Sequence, residues 1–226
     1  GRYESESSLV QTQCYVTDDY FCMLDDDEGD DLKAKDRADV AVGRLTSRTA
    51  DEAKVLVDKI YSYSSNEYAG PWQNTICFMA DDGNGADQNN HMRDAEKILK
   101  EVTRDHPSFL IKKIYWDAYV RQTSATGNTY PDVTKLIKQQ MQSGALIMNY
   151  QGHGAAYQLS HERVVVRTDF EAPTSLRLPL WITASCDIMP FDGQEENIGE
   201  SAMQNKNGGA IAFFGTTRTV YANYNE

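Results

Sequence analysis

The sequence predicts an α/β fold in which a mostly parallel β-sheet is flanked by helices. Strand-like runs alternate with helical segments along the chain. Three later runs, 145–150, 178–184 and 208–215, are apolar without any polar alternation. Such runs are typical of strands covered on both faces, as in parallel sheets. The 226 residues are enough to bury a sizeable core, and they favour a single domain.

The first strand-and-helix pair is predicted at residues 38–63. The run ADVAVGRL (38–45) has the pattern of a strand, and SRTADEAKVLVDKIYSY (47–63) that of a helix. Thr49 and Glu52 are spaced as a capping box, which predicts where this helix begins. We expect its buried face to carry Ala53, Leu56, Val57 and Ile60.

The same alternation continues through the middle of the chain. Strands are predicted at NTICFMA (74–80) and FLIKKIYW (109–116), and helices at 91–105 and 131–144. The second of these helices has a proline near its first turn and a glycine at its carboxyl end, as helix ends prefer. The first is expected to bury Met92, Ala95, Leu99 and Val102.

The acidic balance of the chain excludes one class of partner. The 34 Asp and Glu residues outnumber the 22 Lys and Arg residues, which gives a formal charge of −12. Because such a charge repels phosphate backbones, we expect no nucleic-acid partner. No apolar run approaches the roughly 18 residues of a membrane helix. The chain opens with GRYESESS and shows no signal-like apolar stretch, so any targeting segment is expected to have been removed or to lie outside the sequence.

Two reactive side chains follow consecutive predicted strands. His153 follows the first of the three apolar runs and lies between Gly152 and Gly154, and Cys186 follows the second run. Neighbouring strands of a parallel sheet end at the same edge, about 5 Å apart. An imidazole and a thiol at such an edge can form a base and nucleophile pair. Taken singly, each has a structural alternative: a histidine in a turn, and a small buried core residue.

The backbone around this pair suggests an oxyanion site. Gly154 has no side chain, so its N–H can face a substrate carbonyl, and the N–H of Cys186 can supply a second donor. Gly152 allows the sharp turn that exposes the ring. Asp187 is a complication, because a carboxylate beside the thiol opposes thiolate formation unless it points away.

The segments NYQGHG (149–154) and LPLWITASCD (178–187) together resemble the catalytic segment of the gingipain-type (C25) cysteine peptidases. Three further stretches fit this family, so the resemblance covers most of the chain. It implies a caspase-like fold with the histidine and the cysteine at adjacent strand ends. The further stretches are YVTDDYFCMLDDDEGDD (15–31), ADVAVGRLTSRTADEA (38–53) and ICFMADDGNG (76–85).

The resemblance assigns roles to individual residues. It implies that His153 is the base, that Cys186 is the nucleophile, and that the N–H groups of Gly154 and Cys186 are the oxyanion donors. The acid that orients the histidine in the family falls near Asp82 or Asp81. A turn built by aspartate and glycine is the alternative interpretation of DDGNG.

The substrate pocket departs from the family pattern. The loop GADQNNHM (85–92) is shorter than the corresponding loop of the arginine-selective gingipains. It places Gln88 or Asp87 near the position where those enzymes have an acidic residue in the pocket. Arginine selectivity is therefore not carried over. Tyr221 falls where gingipains have a tryptophan that lines the pocket, and ordinary edge packing is its alternative role.

No cofactor is expected to be required, and calcium is the one ion that the sequence suggests. The run LDDDEGDD (24–31) offers clustered carboxylates, which suit calcium, and the family has calcium sites. Its ligand spacing is incomplete, so a solvated turn is the alternative. No catalytic metal site is predicted, because the cysteines Cys14, Cys22, Cys77 and Cys186 form no CxxC pair and the histidines His91, His106 and His161 show no metal-binding spacing.

The resemblance implies a cysteine endopeptidase that forms a thioester acyl-enzyme. Within the family, the amino-acid sequence is most similar to those of the C-terminal signal peptidases of the type IX secretion system. It therefore implies secreted cargo proteins as substrates, anionic lipopolysaccharide as an acceptor, other components of that secretion system as partners, and a location at the cell surface on the outer membrane. The alternative is a non-catalytic protein-binding module, stabilised by calcium, on the same fold.

The domain organisation follows from the same resemblance. Residues 1–226 are expected to form a peptidase catalytic domain within a longer chain. Residues 1–70 would be its N-terminal portion and residues 71–226 its catalytic core.

Overall fold

The computed structural model describes residues 16–26, 28, 37–83 and 87–220. Helices and strands alternate over most of this length, with two small antiparallel sheets inserted between the larger elements. The elements are α1 (Ala50–Ser64), β1 (Thr75–Ala80), α2 (Asn90–Asp105), β2 (Leu110–Tyr115), β3 (Gln122–Ser124), β4 (Gly127–Thr129), α3 (Pro131–Ser143), β5 (Ile147–Gln151), β6 (Gly154–Ala155), β7 (Gln158–Leu159), β8 (Val165–Val166), α4 (Arg167–Glu171), β9 (Leu180–Ala184), α5 (Ile198–Gln204) and β10 (Ala212–Phe214).

The main sheet has five strands in the order β10-β9-β5-β1-β2, and every neighbouring pair is parallel. The central strand β5 therefore has β9 on one side and β1 on the other. This arrangement confirms the predicted α/β fold with a parallel sheet flanked by helices. β3 and β4 form a separate hairpin, and β6, β7 and β8 form a small three-stranded sheet just after β5.

Burial follows the position of each strand in the sheet. All six residues of β1 are buried, and so are the last four residues of β5. Apolar side chains at these central positions form the main core with α3 and with α5. The edge strand β10 differs, because Phe214 is 73% exposed. The prediction that the last apolar run is covered on both faces is therefore wrong.

The predicted helix ends are confirmed, except for half of the capping box. The hydroxyl oxygen of Thr49 accepts the N–H of Glu52 at 3.2 Å and begins α1, whereas the Glu52 carboxylate accepts the N–H of Arg48 and not that of Thr49. Pro131 is the first residue of α3, and Gly144 follows its last residue with a φ of +82°, a left-handed conformation that favours glycine. In α2 the predicted inner face is confirmed: Ala95 and Leu99 are buried, and Met92 and Val102 are partly buried.

The inner face of α1 differs from the prediction. Val57 and Ile60 are 57% and 40% exposed, whereas Leu56 and Lys59 are buried. The face that packs on the protein is therefore rotated toward Lys59. A buried lysine is stable only where its ammonium finds partners, and here these partners come from another helix.

The ammonium of Lys59 lies among backbone carbonyl groups at the end of α5. Its three N–H groups lie within hydrogen-bond distance of four carbonyls, those of Ala202 at 3.1 Å, Met203 at 2.9 Å, Asn205 at 3.2 Å and Gly208 at 3.0 Å, so one N–H is shared between two of them. The last carbonyls of a helix have no partner within the helix. Lys59 supplies that partner and so joins α1 to the carboxyl end of α5.

Residues 38–45, predicted as a strand, have no strand conformation in the structure. Val40, Val42 and Leu45 are 46%, 43% and 51% exposed. The segment pairs with neither edge of the main sheet within the described residues. An alternating pattern becomes a strand only where a partner supplies the backbone hydrogen bonds, so this prediction is wrong. None of the described helices is long and apolar enough to cross a membrane.

Candidate active site

The two predicted reactive residues lie at the ends of adjacent strands. In the parallel pair of β5 and β9, Gln151 lies opposite Ala184. His153 follows Gln151 by two residues, and Cys186 follows Ala184 by two residues. Both therefore lie at the same edge of the sheet, beyond the carboxyl ends of its central strands.

The glycines on either side of His153 allow the two strand ends to pack directly on their neighbours. A Cβ atom on Gly154 would lie 2.4 Å from the Oγ of Ser185, the residue that precedes the cysteine. A Cβ atom on Gly152 would lie 2.4 Å from the hydroxyl of Tyr150. Any side chain at either position would push the histidine loop away from its surroundings. The glycines are therefore required by close packing; neither has a positive φ, so the turn by itself does not require glycine.

Cys186 lies in a turn held by the segment that follows β10. Its thiol donates to the carbonyl of Val220 at 3.4 Å. The next residue, Asp187, has a left-handed φ of +51°, and its N–H donates to the carbonyl of Arg218 at 3.2 Å. The Asp187 carboxylate accepts the hydroxyl of Thr219 at 2.7 Å. This carboxylate is thus engaged by the downstream segment.

The described cysteines are free thiols with different environments. Cys22 and Cys77 are buried, whereas Cys186 is partly exposed. Burial raises the pKa of the Cys77 thiol to about 12, which keeps it protonated and inert at neutral pH. Cys14 lies outside the described residues. Exposure therefore singles out Cys186 as the accessible thiol of the described part of the chain.

The backbone of His153 is fixed by three hydrogen bonds. Its N–H donates to the carboxylate of Asp81 at 3.1 Å. Its carbonyl accepts the hydroxyl of Tyr150 at 2.7 Å and the N–H of Ser160 at 2.8 Å. The ring is held separately, with Nε2 2.8 Å from a carboxylate oxygen of Asp87. The loop therefore has a fixed backbone and an imidazole in contact with an acid.

The acid on the imidazole is not the one predicted. The carboxylate of Asp82 accepts the hydroxyl of Tyr130 at 2.8 Å, and the ring contacts Asp87 instead. The sequence placed Asp87 or Gln88 in the substrate pocket. Gln88 is exposed in a turn with a φ of +51°. Tyr221, predicted to line the pocket, lies outside the described residues.

Two further imidazoles lie close to the ring of His153. The ring of His91 is 5.1 Å away between centroids, and the ring of His161 is 4.8 Å away. Sequence spacing gave no sign of this cluster, because the three histidines come from α2, from the turn after β5 and from the turn after β7. His106, at the carboxyl end of α2, contacts Phe109 instead.

Three buried carboxyl groups lie beneath the histidine loop. Asp81, Asp82 and Glu162 each place an oxygen within 4.8 Å of the others. One oxygen of each aspartate is buried without a hydrogen-bond partner among the described residues. Burial raises the pKa of Asp81 to about 8, the N–H of His153 opposes this rise, and the charges of Glu162 and Asp82 add to it. A carboxyl group at this site therefore takes up a proton more readily than an exposed one.

This shift predicts a stability that depends on pH. An exposed aspartate has a pKa of about 3.9, so between about pH 4 and pH 8 the folded chain binds a proton at Asp81 that the unfolded chain lacks. Stability should then fall as the pH rises through that window, by at most about 1.4 kcal/mol per pH unit. The variant Asp81→Asn should show a shallower fall in urea unfolding from pH 5 to pH 8 with EDTA present. Exposed Asp117→Asn is the control, and equal slopes for all three proteins would contradict the assignment.

The carboxylates predicted to bind calcium are only partly within the described residues. Asp25 and Glu28, from the run at 24–31, lie with Asp39 so that one oxygen of each is within 4.8 Å of the others. Asp39 also accepts the N–H of Leu24 at 2.8 Å. Calcium at this exposed group stays a prediction.

Comparison with known proteins gives a family match and three structural matches for this chain. The sequence profile of Peptidase family C25 matches residues 1–226. The crystal structure of the Arg-specific cysteine proteinase gingipain R (RGPB) matches with a TM-score of 0.69 and 18% identity, over 92% of this chain and 45% of that one. The complex of Porphyromonas gingivalis RgpB pro- and mature domains matches with a TM-score of 0.61 and 17% identity, over 81% and 42%. A structure described as a protease matches with a TM-score of 0.67 and 15% identity, over 94% and 43%.

The chain spans less than half the length of each of these structures. At such low identity the likeness establishes the architecture of the sheet and its flanking helices. No curated protein matches the sequence significantly. The profile match extends over the whole chain and includes both strand ends described above. The chain therefore has a gingipain-like fold and belongs to peptidase family C25.

Proposed function

We propose that this protein is a cysteine endopeptidase in which Cys186 is the nucleophile and His153 the base. The observation that carries this proposal is their position on the adjacent ends of β5 and β9. The partly exposed thiol and the partly exposed imidazole, whose side chain is 33% exposed, are both accessible to a peptide. Membership of a peptidase family supports the same reaction.

The reaction begins when His153 accepts the proton of the Cys186 thiol and the sulfur attacks the carbonyl carbon of a peptide bond. The carbonyl oxygen becomes an oxyanion, for which the N–H groups of Gly154 and Cys186 are the proposed donors. The carbon–nitrogen bond then breaks, and the imidazolium gives its proton to the leaving amine. A thioester joins the acyl part of the substrate to the sulfur.

In this structure the two groups have separate partners. The imidazole contacts Asp87, and the thiol donates to the carbonyl of Val220. Hydrogen bonds between catalytic groups are often long until a substrate is bound, so separate partners are compatible with a dyad. The contact with Asp87 favours the imidazolium that forms during attack, which gives this carboxylate the role first expected of Asp82.

We further propose that the substrates are secreted cargo proteins with C-terminal signals of the type IX secretion system. Support comes from the resemblance of the sequence as a whole, within the C25 family, to PorU, the C-terminal signal peptidase of that system. Water would resolve the thioester to a shortened cargo. An amine of anionic lipopolysaccharide would resolve it to a lipid-linked cargo, and this reaction would require the protein to work at the cell surface beside the other secretion components.

The test is to incubate the full-length protein with a cargo that carries its C-terminal signal and to weigh the products. We expect cleavage with the wild type, loss of cleavage with Cys186→Ala, and retained cleavage with Cys22→Ala, which removes a buried thiol elsewhere. A product mass that equals the shortened cargo indicates hydrolysis, and a mass increased by the acceptor indicates transfer. Unchanged cleavage by Cys186→Ala would refute the assigned nucleophile.

A second measurement separates a peptidase from a binding module. Alkylation of the native protein by iodoacetamide at neutral pH should modify Cys186 faster than the buried Cys22 and Cys77. His153→Ala should slow the modification of Cys186. Slow modification of Cys186 that does not respond to His153→Ala would favour the non-catalytic module.

A further inference from the structure

Three potential metal ligands meet at the ring of His153. Asp87, His91 and His153 each place a ligand atom within 4.8 Å of the other two. Within this group, Nε2 of His153 is 2.8 Å from the carboxylate of Asp87. The rings of His91 and His153 meet edge to face, with centroids 5.1 Å apart. The three side chains therefore converge on one small volume beside the proposed dyad.

His91 presents a buried ring nitrogen at this group. Its Nε2 is buried and has no hydrogen-bond partner within the described residues. A buried polar nitrogen without a partner is unfavourable by about 1–3 kcal/mol. A metal ion bound within the group would supply such a partner.

The donor set matches one class of metal. Two imidazole nitrogens and one carboxylate oxygen suit zinc, which binds such ligands at about 2.0–2.2 Å and often leaves a fourth position for water. Calcium and magnesium prefer oxygen ligands, so an imidazole pair disfavours them. The chain segments also suit a shared ion, because Asp87 and His91 flank the start of α2 whereas His153 follows β5.

We propose that Asp87, His91 and His153 bind a zinc-class divalent cation that keeps the base of the dyad occupied. A metal on Nε2 of His153 leaves the ring proton on Nδ1, so the imidazole has no lone pair left to accept the proton of the thiol. It would also tie the loop before α2 to the end of β5. The inhibitory consequence rests on the proposed peptidase function, whereas the binding of the ion does not.

The main rival is zinc held by the thiolate of Cys186 together with His153, because sulfur is a strong zinc ligand. Two variants separate the two sites. His91→Ala removes a ligand of the proposed site only, and Cys186→Ala removes a ligand of the rival site only. His106→Ala, at the far end of α2, removes an exposed imidazole and serves as the control.

The first experiment measures metal binding directly, by calorimetry with zinc and by the visible absorption of bound cobalt, on protein first stripped with EDTA. We expect one ion per chain, at least tenfold weaker binding in His91→Ala, and unchanged binding in Cys186→Ala and His106→Ala. Asp87→Asn is a second variant in case His91→Ala fails to fold. No binding by the wild type, or binding lost in Cys186→Ala and kept in His91→Ala, would overturn the proposal.

The second experiment measures cargo cleavage by metal-free wild type and His91→Ala while zinc is added, each compared with its own metal-free rate. Zinc should inhibit the wild type at least tenfold more potently than the variant. Equal inhibition of both would overturn the regulatory role. If the wild type binds zinc but cleaves nothing with or without EDTA, the proposed function fails while the metal site stands.

Discussion

Replacing His153 by alanine is expected to lower the kcat/KM of cargo cleavage by two to four orders of magnitude. A positioned base contributes about 10²–10⁴ to the rate, and without it the thiol must ionise unaided. The fold should survive, because Asp81, Tyr150 and Ser160 hold this loop through the backbone of His153. The measurement is the cleavage rate of metal-free protein, with thermal unfolding as the check on folding.

His106→Ala is the matched control, since it removes an exposed imidazole at the end of α2 and should leave kcat/KM unchanged. Asp87→Asn should cause a smaller loss than His153→Ala, because the carboxylate acts only through the ring that it contacts. A loss below tenfold in a folded His153→Ala variant would show that another group takes the thiol proton.

Replacing Lys59 by methionine is expected to lower the free energy of unfolding by about 3 kcal/mol. Methionine retains most of the aliphatic length but has no donor for the four carbonyls at the end of α5. Leaving one buried acceptor unsatisfied costs about 1–3 kcal/mol. Because the turn can partly relax, the total cost for the four carbonyls should stay near the upper end of that range. Urea unfolding at neutral pH measures the change.

Lys54→Met on the same helix is the control. The side chain of Lys54 is 70% exposed and pairs with Asp58 on the surface. Surface pairs of this kind contribute about 0–1 kcal/mol, so this variant should stay close to the wild type. Equal destabilisation by the two substitutions would mean that the contacts of the Lys59 ammonium with the carbonyls of α5 do not stabilise the fold.

Local sequence patterns correctly predicted those elements whose burial is determined by their own apolar residues. The strands β1 and β5 were found because their positions in the sheet match continuous apolar runs. The inner face of α1 was missed because it is set by Lys59, whose carbonyl partners lie more than 140 residues downstream. Periodicity within one helix carries no information about such partners.

The candidate site likewise contains residues that the sequence could predict and residues that it could not. The rule that parallel strands end at one edge was enough to predict that His153 and Cys186 follow adjacent strand ends. The loop after β1 obeys no such rule, since its path is set by tertiary contacts. Asp87 approaches the imidazole from the end of this loop and His91 from the first turn of α2, whereas Asp82, five residues before Asp87, is buried against Tyr130. Motif spacing could not distinguish these outcomes.

The edge position of β10 has a consequence for the free energy of local opening near the site. The segment after β10 anchors the cysteine turn through the carbonyls of Val220 and Arg218 and the hydroxyl of Thr219. The histidine loop is anchored instead beside β1 and β5, in the middle of the sheet. Sheet edges fray at lower free energy than centres. Within the described residues, we therefore expect the cysteine turn to open at a lower free energy than the histidine loop.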